Sequence, residues 1–506
     1  MLYLSFVPVL ALLLSGVTAE YTSTASTCSA LAEKLPELVF FPDSNTYNAS
    51  IASYPWRQTQ LHPNCVVQPI TATDVAAAVT VLREDGAKFA LRGGGHSINV
   101  GFNNIQNGVT ISLERMNKVE LEGDVAQVGA GTTGQQLYEQ LELYGMSALG
   151  PRLGGVGVAG FTTGGAISFS GPERGWAADS ILNVEIVLAD SSIINANSTS
   201  HADLLAAVKG GQSNFGIITR FDLQAFPARP VWGGLINYEA EQDKSLITAF
   251  SEFKKPENYD PYAAGWISYQ YNGTNGKLIP GSSMWYSRAD EAPGALGRIT
   301  NIGPHSLDLT QVALPSAHSK AANDGFKSGG LYRTIWTTLS FHISPTILHR
   351  IYDHWLTNIP AVTEANSIGT DHPFSELYIQ SGMPRPCEST NSSALPNGLG
   401  WPPVPSSNAG HPWKDVVVFQ LCLSWQDERA TNGLEDAAKK MIAEFEGMIR
   451  DEGLETEWFY MNYAADWQDV IGGYGAETKE MLQNVAKEYD PEGLWQTQLE
   501  GGFKVF

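Results

Sequence analysis

The chain has 506 residues, 43% of them apolar and 17% charged, with a formal net charge of −22 and a pI near 4.8. That apolar share supports large cores and excludes general disorder, and the length allows about two to four domains. An excess of carboxylates repels phosphate backbones, which excludes nucleic acid as an expected partner.

Residues 1–19, MLYLSFVPVLALLLSGVTA, have an apolar centre and a small-x-small end at Val17-Thr18-Ala19, the pattern of a secretory signal peptide. The apolar run is short for a membrane span, and no later window supplies about 18 uninterrupted apolar residues. The chain is therefore expected to enter the secretory route without a membrane anchor. Sequons at Asn48, Asn197, Asn272 and Asn391 agree with this. The four cysteines, Cys28, Cys65, Cys387 and Cys422, allow three pairings. Cys28 and Cys65 precede the regular elements, and a bridge between them would stabilise by roughly 4 kcal/mol on the chain-entropy model. Cys422 lies in an apolar strand-like run and can equally be a buried thiol; whether it pairs with Cys387 stays open.

From Cys65 the pattern becomes regular. CVVQPI reads as a strand. TATDVAAAVTVLREDG then reads as a helix capped by Thr71 or Thr73 and ended by Gly86. AKFALR, GVTISL and VAQVGA are strands, and TTGQQLYEQLELYG is a helix stopped by Gly145. A glycine-rich passage covers residues 150–175, followed by the β-rich ILNVEIVLAD and FGIITRFDLQAF. Near Pro227 the character shifts to more aromatics and longer loops, with strands in GWISYQY, GLYRTIWTTLSF, SELYIQSG and DVVVFQLCLSW. A long helix follows near residue 430, and the tail is dense in aromatics. No fixed-period repeat is present. The expectation is an α+β protein of two domains, with boundaries at 20–227, 228–429 and 430–506.

The stretch LRGGGHSINVG places Gly93, Gly94 and Gly95 between Arg92 and His96. A glycine run lets backbone N–H groups converge on an anion, so it can cradle a pyrophosphate, with Arg92 adding charge; it can also be a plain turn. No GK followed by Ser or Thr completes a P-loop, and no helix follows to make a Rossmann turn. His96, beside such a cradle, can carry a proton, pair with phosphate or tether a ligand covalently.

With these motifs the sequence resembles the FAD-linked oxidases of the vanillyl-alcohol oxidase superfamily, in the berberine-bridge-enzyme-like branch with its PCMH-type FAD-binding domain. The likeness rests on LRGGGHSINVG, GVGVAGFTTGGAISF, RGWAADSILNVEIVLADS, GGQSNFGIITRF, YMNYAADW, YDPEGLW and GGFKVF, in that order over almost the whole mature chain. It implies a two-domain FAD-binding fold with an antiparallel-sheet substrate domain. It implies that Gly93–Gly95 and Ser97 cradle FAD, that Val156, Gly157, Gly160, Thr162, Gly164, Ser168, Ile218 and Asn462 also contact it, and that His96 is covalently bonded to the flavin. Many members add a cysteine tether before the VGVGG-like run. Here that neighbourhood is Pro151-Arg152-Leu153-Gly154-Gly155, so a single link through His96 is expected, which leans toward a smaller substrate. Val156 stands where valine goes with oxidase behaviour.

The same resemblance makes Tyr463 the candidate base that removes a substrate proton. Phenol titrates near pH 10, so Tyr463 needs a nearby cation or donor. Strand alternation puts Tyr460 and Asn462 on one face, Met461 and Tyr463 on the other. It also groups Gln420, Cys422 and Ser424, and separately Glu376, Tyr378 and Gln380, as stripes that face either substrate or water. No metal-ligand spacing or nucleophile elbow occurs. The expected activity is an O2-dependent oxidation of a small organic molecule with H2O2 release, in fungal secondary metabolism. A carbohydrate oxidase and a flavin-holding isomerase or cyclase are the alternatives.

Overall fold

The computed structural model describes residues 26–289, 293–325, 331–380, 397–400 and 416–506. The signal segment, Cys387 and Asn391 lie outside them.

The first regular unit shows how local chemistry sets the elements. Helix Ala72–Asp85 opens on Thr71, whose hydroxyl accepts from the Asp74 N–H while the Asp74 carboxylate accepts from the Thr71 N–H, and it ends on Gly86 at φ +66°. Val75, Ala78, Val79 and Leu82 recur at helical spacing and are all buried. Strands Cys65–Val67, Val109–Ser112 and Phe89–Arg92 run parallel in a small sheet, with Val39–Phe40 antiparallel at its edge. Cys28 and Cys65 are bonded, as expected. A five-stranded antiparallel sheet follows, in the order Val119–Glu122, Val125–Gly129, Ile217–Gln224, Ile181–Val187, Ile193–Asn197. The helix packs against strands of this second sheet, and one hydrophobic core joins the two sheets.

The second core lies beneath an eight-stranded antiparallel sheet. Its centre pairs Ala263–Asn272, Phe374–Gln380, Val416–Trp425 and Arg333–His342. One sheet face buries Ile267, Leu377, Phe419 and Leu421 with helices Asp243–Phe253, Pro345–Ala365 and Thr431–Asp451. The last of these begins at the expected boundary near 430, and its Leu434, Ala438, Met441, Ile442, Phe445 and Ile449 pack into this second core. The chain crosses back only near residue 458, where Trp458, Tyr460 and Met461 join the first core.

Among the described residues no helix is long and apolar enough to cross a membrane, and no cluster of three His, Cys, Asp or Glu is placed to hold a metal ion. Asn48 and Asn272 are exposed, whereas the Asn197 side chain is half-buried and accepts from Thr199 and Ser200.

The Cys28–Cys65 bridge closes a separation of 37 residues. Cys65→Ser is expected to lower Tm by roughly 5–10 °C in a thermal melt, since such a loop is worth about 4 kcal/mol. An unchanged Tm would show that the loop is held without the bond.

Candidate active site

A cavity of about 860 Å³ opens between the two cores. Its first wall is made of bare backbone. Strand Phe89–Arg92 delivers Gly93–Gly95 to the cavity, and the loop before the short helix Val158–Thr163 meets it from the other side. A Cβ placed on Gly94 would lie 2.4 Å from the Gly157 nitrogen, and one on Gly157 would lie 2.3 Å from the Gly94 nitrogen. Gly95 has φ +76°, where glycine is at ease. His96 follows on the cavity wall, its carbonyl accepting from the Trp56 indole. Burial pushes its pKa down to about 4, so the imidazole is neutral at physiological pH.

The expected cofactor contacts divide. His96, Gly93–Gly95, Ser97, Val156, Gly157, Gly160, Ile218 and Asn462 all line the cavity. Arg92 does not. Its buried guanidinium donates to the Ser50 carbonyl and hydroxyl and to Ser53, lies over the Tyr54 ring and pairs with Glu114. It packs against the back of the glycine turn, its Nε 2.8 Å from where a Gly95 Cβ would sit, and so braces that turn from outside the cavity. Thr162, Gly164 and Ser168 also lie behind the wall. The short helix turns Thr162 into the core, Ser168 is buried beside Tyr138, and Gly164 leaves room for the Asn462 amide, which an added Cβ would strike.

Tyr460–Tyr463 is not a strand. Met461–Tyr463 forms a 3₁₀ turn, which brings residues three apart together, and the Tyr460 and Tyr463 rings meet edge to face at 4.7 Å. All four side chains therefore reach the cavity. Tyr463 donates to Gln380 Oε1 at 3.1 Å and accepts from Arg152 Nη2 at 3.3 Å; Arg152 also donates to Gln380 at 3.1 Å. Burial raises the Tyr463 pKa, and the Arg152 charge opposes that rise. Arg152 is held over the Trp266 ring at 4.5 Å. The residue pattern marks Arg152 only as an arginine in a glycine-rich loop that lacks a cysteine.

The opposite wall is the free face of the eight-stranded sheet. Gln420, Cys422, Ser424, Glu376, Tyr378 and Gln380 all line the cavity. Register places Gln270, Glu376, Cys422 and Trp336 in one cross-strand row, and Ser268, Tyr378, Gln420 and Thr338 in the next. Cys422 is a buried free thiol.

A glycine-walled cleft that opens on a polar sheet fits a two-domain flavoprotein of the oxidoreductase class. Residues 63–197 match the family described as FAD binding domain. An FAD-dependent monooxygenase of Emericella nidulans is 31% identical over 94% of this chain and 98% of its own length. Another FAD-dependent monooxygenase, from Aspergillus calidoustus, is 29% identical over 96% and 91%. Among solved structures, 6-hydroxy-D-nicotine oxidase of Arthrobacter nicotinovorans superposes with a TM-score of 0.74 at 18% identity, covering 92% of this chain and 97% of that one. The carbohydrate oxidase of Microdochium nivale gives 0.72 at 19% identity, with 96% and 99% covered. The chain belongs to this family of FAD-linked oxidoreductases and is an FAD-binding enzyme. Its residues fit the cofactor: the cavity is within the roughly 300–1,000 Å³ usual for such ligands, and its wall is stripped of side chains at Gly93–Gly95, Gly157 and Gly160.

Because a methyl group at residue 94 would collide with backbone, Gly94→Ala is expected to cut flavin content about tenfold, given an overpacking cost of roughly 1–3 kcal/mol. The ratio of absorbance at 450 to 280 nm on purified protein reads this directly, and normal loading would contradict it.

Proposed function

We propose that this enzyme oxidises a small organic substrate and passes the electrons to O2 with H2O2 release, Tyr463 being the residue that takes the substrate proton. The observation that carries this reading is the Tyr463 hydroxyl itself. It stands on the cavity wall with an arginine donating to it, and that charge works against the rise that burial imposes on the phenol. Bound FAD supplies the two-electron acceptor. Asn462, fixed by its bond to the Phe161 carbonyl, lies beside the cleft, and the aromatic rings of Trp266, Trp336 and Tyr378 exclude water around the reacting carbon.

His96 is the single covalent anchor in this reading. It is neutral, half-buried and lines the cleft, and no cysteine occupies residues 151–155 to make a second link. Val156, also on the wall, borders the path by which O2 arrives. Residues 1–19 direct secretion, and the exposed Asn48 and Asn272 are glycan acceptors. A role in fungal secondary metabolism is supported by the fungal relatives. Their names favour a second reading, insertion of one oxygen atom into the product. Turnover under ¹⁸O₂ separates the two, because an oxidase leaves the label in peroxide.

Tyr463→Phe is expected to lower kcat/KM about 100- to 10,000-fold with flavin content unchanged, the usual worth of a positioned base. An unaffected rate would remove Tyr463 from the role. Denatured wild-type protein should retain its yellow colour through precipitation and washing, and His96→Ala should release all of it. Free flavin from the wild type would refute the tether.

A further inference from the structure

Glu376 is the one carboxyl that lines the cavity among the described residues, and its surroundings are unusual for an acid. It receives hydrogen bonds from two neutral donors, the Gln270 amide and the Tyr378 hydroxyl. No lysine, arginine or histidine pairs with it among the described residues. Even a half-buried carboxylate without a cation is costly, and two donors fill only half of its roughly four acceptor positions. The remaining direction is the cavity.

The sheet also builds aromatic surface around this group. Phe374 and Tyr378 flank Glu376 on the same strand face, two residues to either side. In its cross-strand row, Cys422 and then Trp336 follow. Tyr332 packs edge to face on Phe374 at 5.4 Å and lines the same cavity. A carboxylate among aromatic faces is a site for an organic ammonium group, which takes charge from the acid and quadrupole attraction from the rings. Arg152 occupies the other pole, beside Gln380, four residues further along the strand.

We propose that Glu376 is a specificity-determining residue that binds a protonated amine on the substrate, so that the enzyme selects small aromatic molecules carrying a basic nitrogen. This rests on the assignment of the cavity as the active site of a flavin oxidase. It adds the substrate class.

The test uses the flavin-loaded protein at pH 8 and two probes of similar size, benzyltrimethylammonium and benzyl alcohol. Dissociation constants are read from perturbation of the flavin spectrum and by calorimetry. The wild type should bind the cation at least tenfold more tightly than the alcohol. Glu376→Gln should weaken the cation tenfold or more and leave the alcohol within about twofold. Glu376→Asp should keep the preference, which guards against a folding defect in the glutamine variant. Burial raises the Glu376 pKa, so cation affinity should fall as pH drops and the carboxyl takes up its proton. Tyr378 on the same strand and Cys422 on the neighbouring strand are pushed well upward and stay protonated over that range, and burial also raises Tyr463 on the facing turn against the opposing Arg152 charge. A yellow protein that binds the cation no better than the alcohol, binds neither, or loses nothing on Glu376→Gln overturns the inference alone. A colourless protein overturns the oxidase assignment with it.

Discussion

The contact between Gly94 and Gly157 is made backbone to backbone, with no space for a single carbon between them. It joins the turn after a parallel strand to the loop before the Val158–Thr163 helix. The Val156 carbonyl, accepting from the Gly134 N–H, and the Thr133–Gly157 bridge fix the second partner in turn. Because no side chain intervenes, peptide groups on both sides remain open to the cleft. The same contact positions two flanking residues that line the cavity: His96, two residues after Gly94, and Val156, one before Gly157. A second close approach, the Asn462 amide over Gly164, ties the C-terminal return of the chain to the same helix.

Much of this frame was readable from residue patterns. Helix Ala72–Asp85 announced itself by a capping threonine and a terminal glycine, and the strands by short β-branched runs between turn residues. The polar stripes on Phe374–Gln380 and Val416–Trp425 followed from alternation, but not which surface they faced. That depends on a cavity closed by distant segments. The errors share a cause, since each needed information from outside its own segment. Tyr460–Tyr463 looked like a strand by alternation, yet stacking on Trp458 and Trp176 and packing against Trp336 favour a tighter turn. Arg92 looked like a phosphate ligand, yet Ser50, Ser53 and Tyr54 lie within reach on its other side. The helix near residue 430 carries an apolar stripe that fits either core, and only the adjacent sheet decides.

The free face of the eight-stranded sheet carries polar groups that an ordinary core would reject. They are tolerated because they are joined sideways. Ser424 donates to Thr334, Tyr463 and Arg152 share the Gln380 oxygen, and Gln270 and Tyr378 converge on Glu376. Arginine can only donate, so the Gln380 atom facing Arg152 must be its oxygen, and that fixes the amide's orientation. Tyr463 is then held from both sides, one partner accepting its proton and the other feeding its lone pair.

Such a wall is preorganised in the sense that matters for catalysis, since its dipoles need no rearrangement when charge develops. It is also electrically divided. Arg152 favours negative charge at the Tyr463 end, and Glu376 favours positive charge at the other. A neutral, featureless molecule would gain little from either pole, whereas one carrying charge at one end and a reactive hydrogen at the other would be oriented before any bond breaks. On the proposed reading the sheet therefore does two things with one set of side chains: it holds the Tyr463 hydroxyl in place, and it orients a substrate of unlike ends.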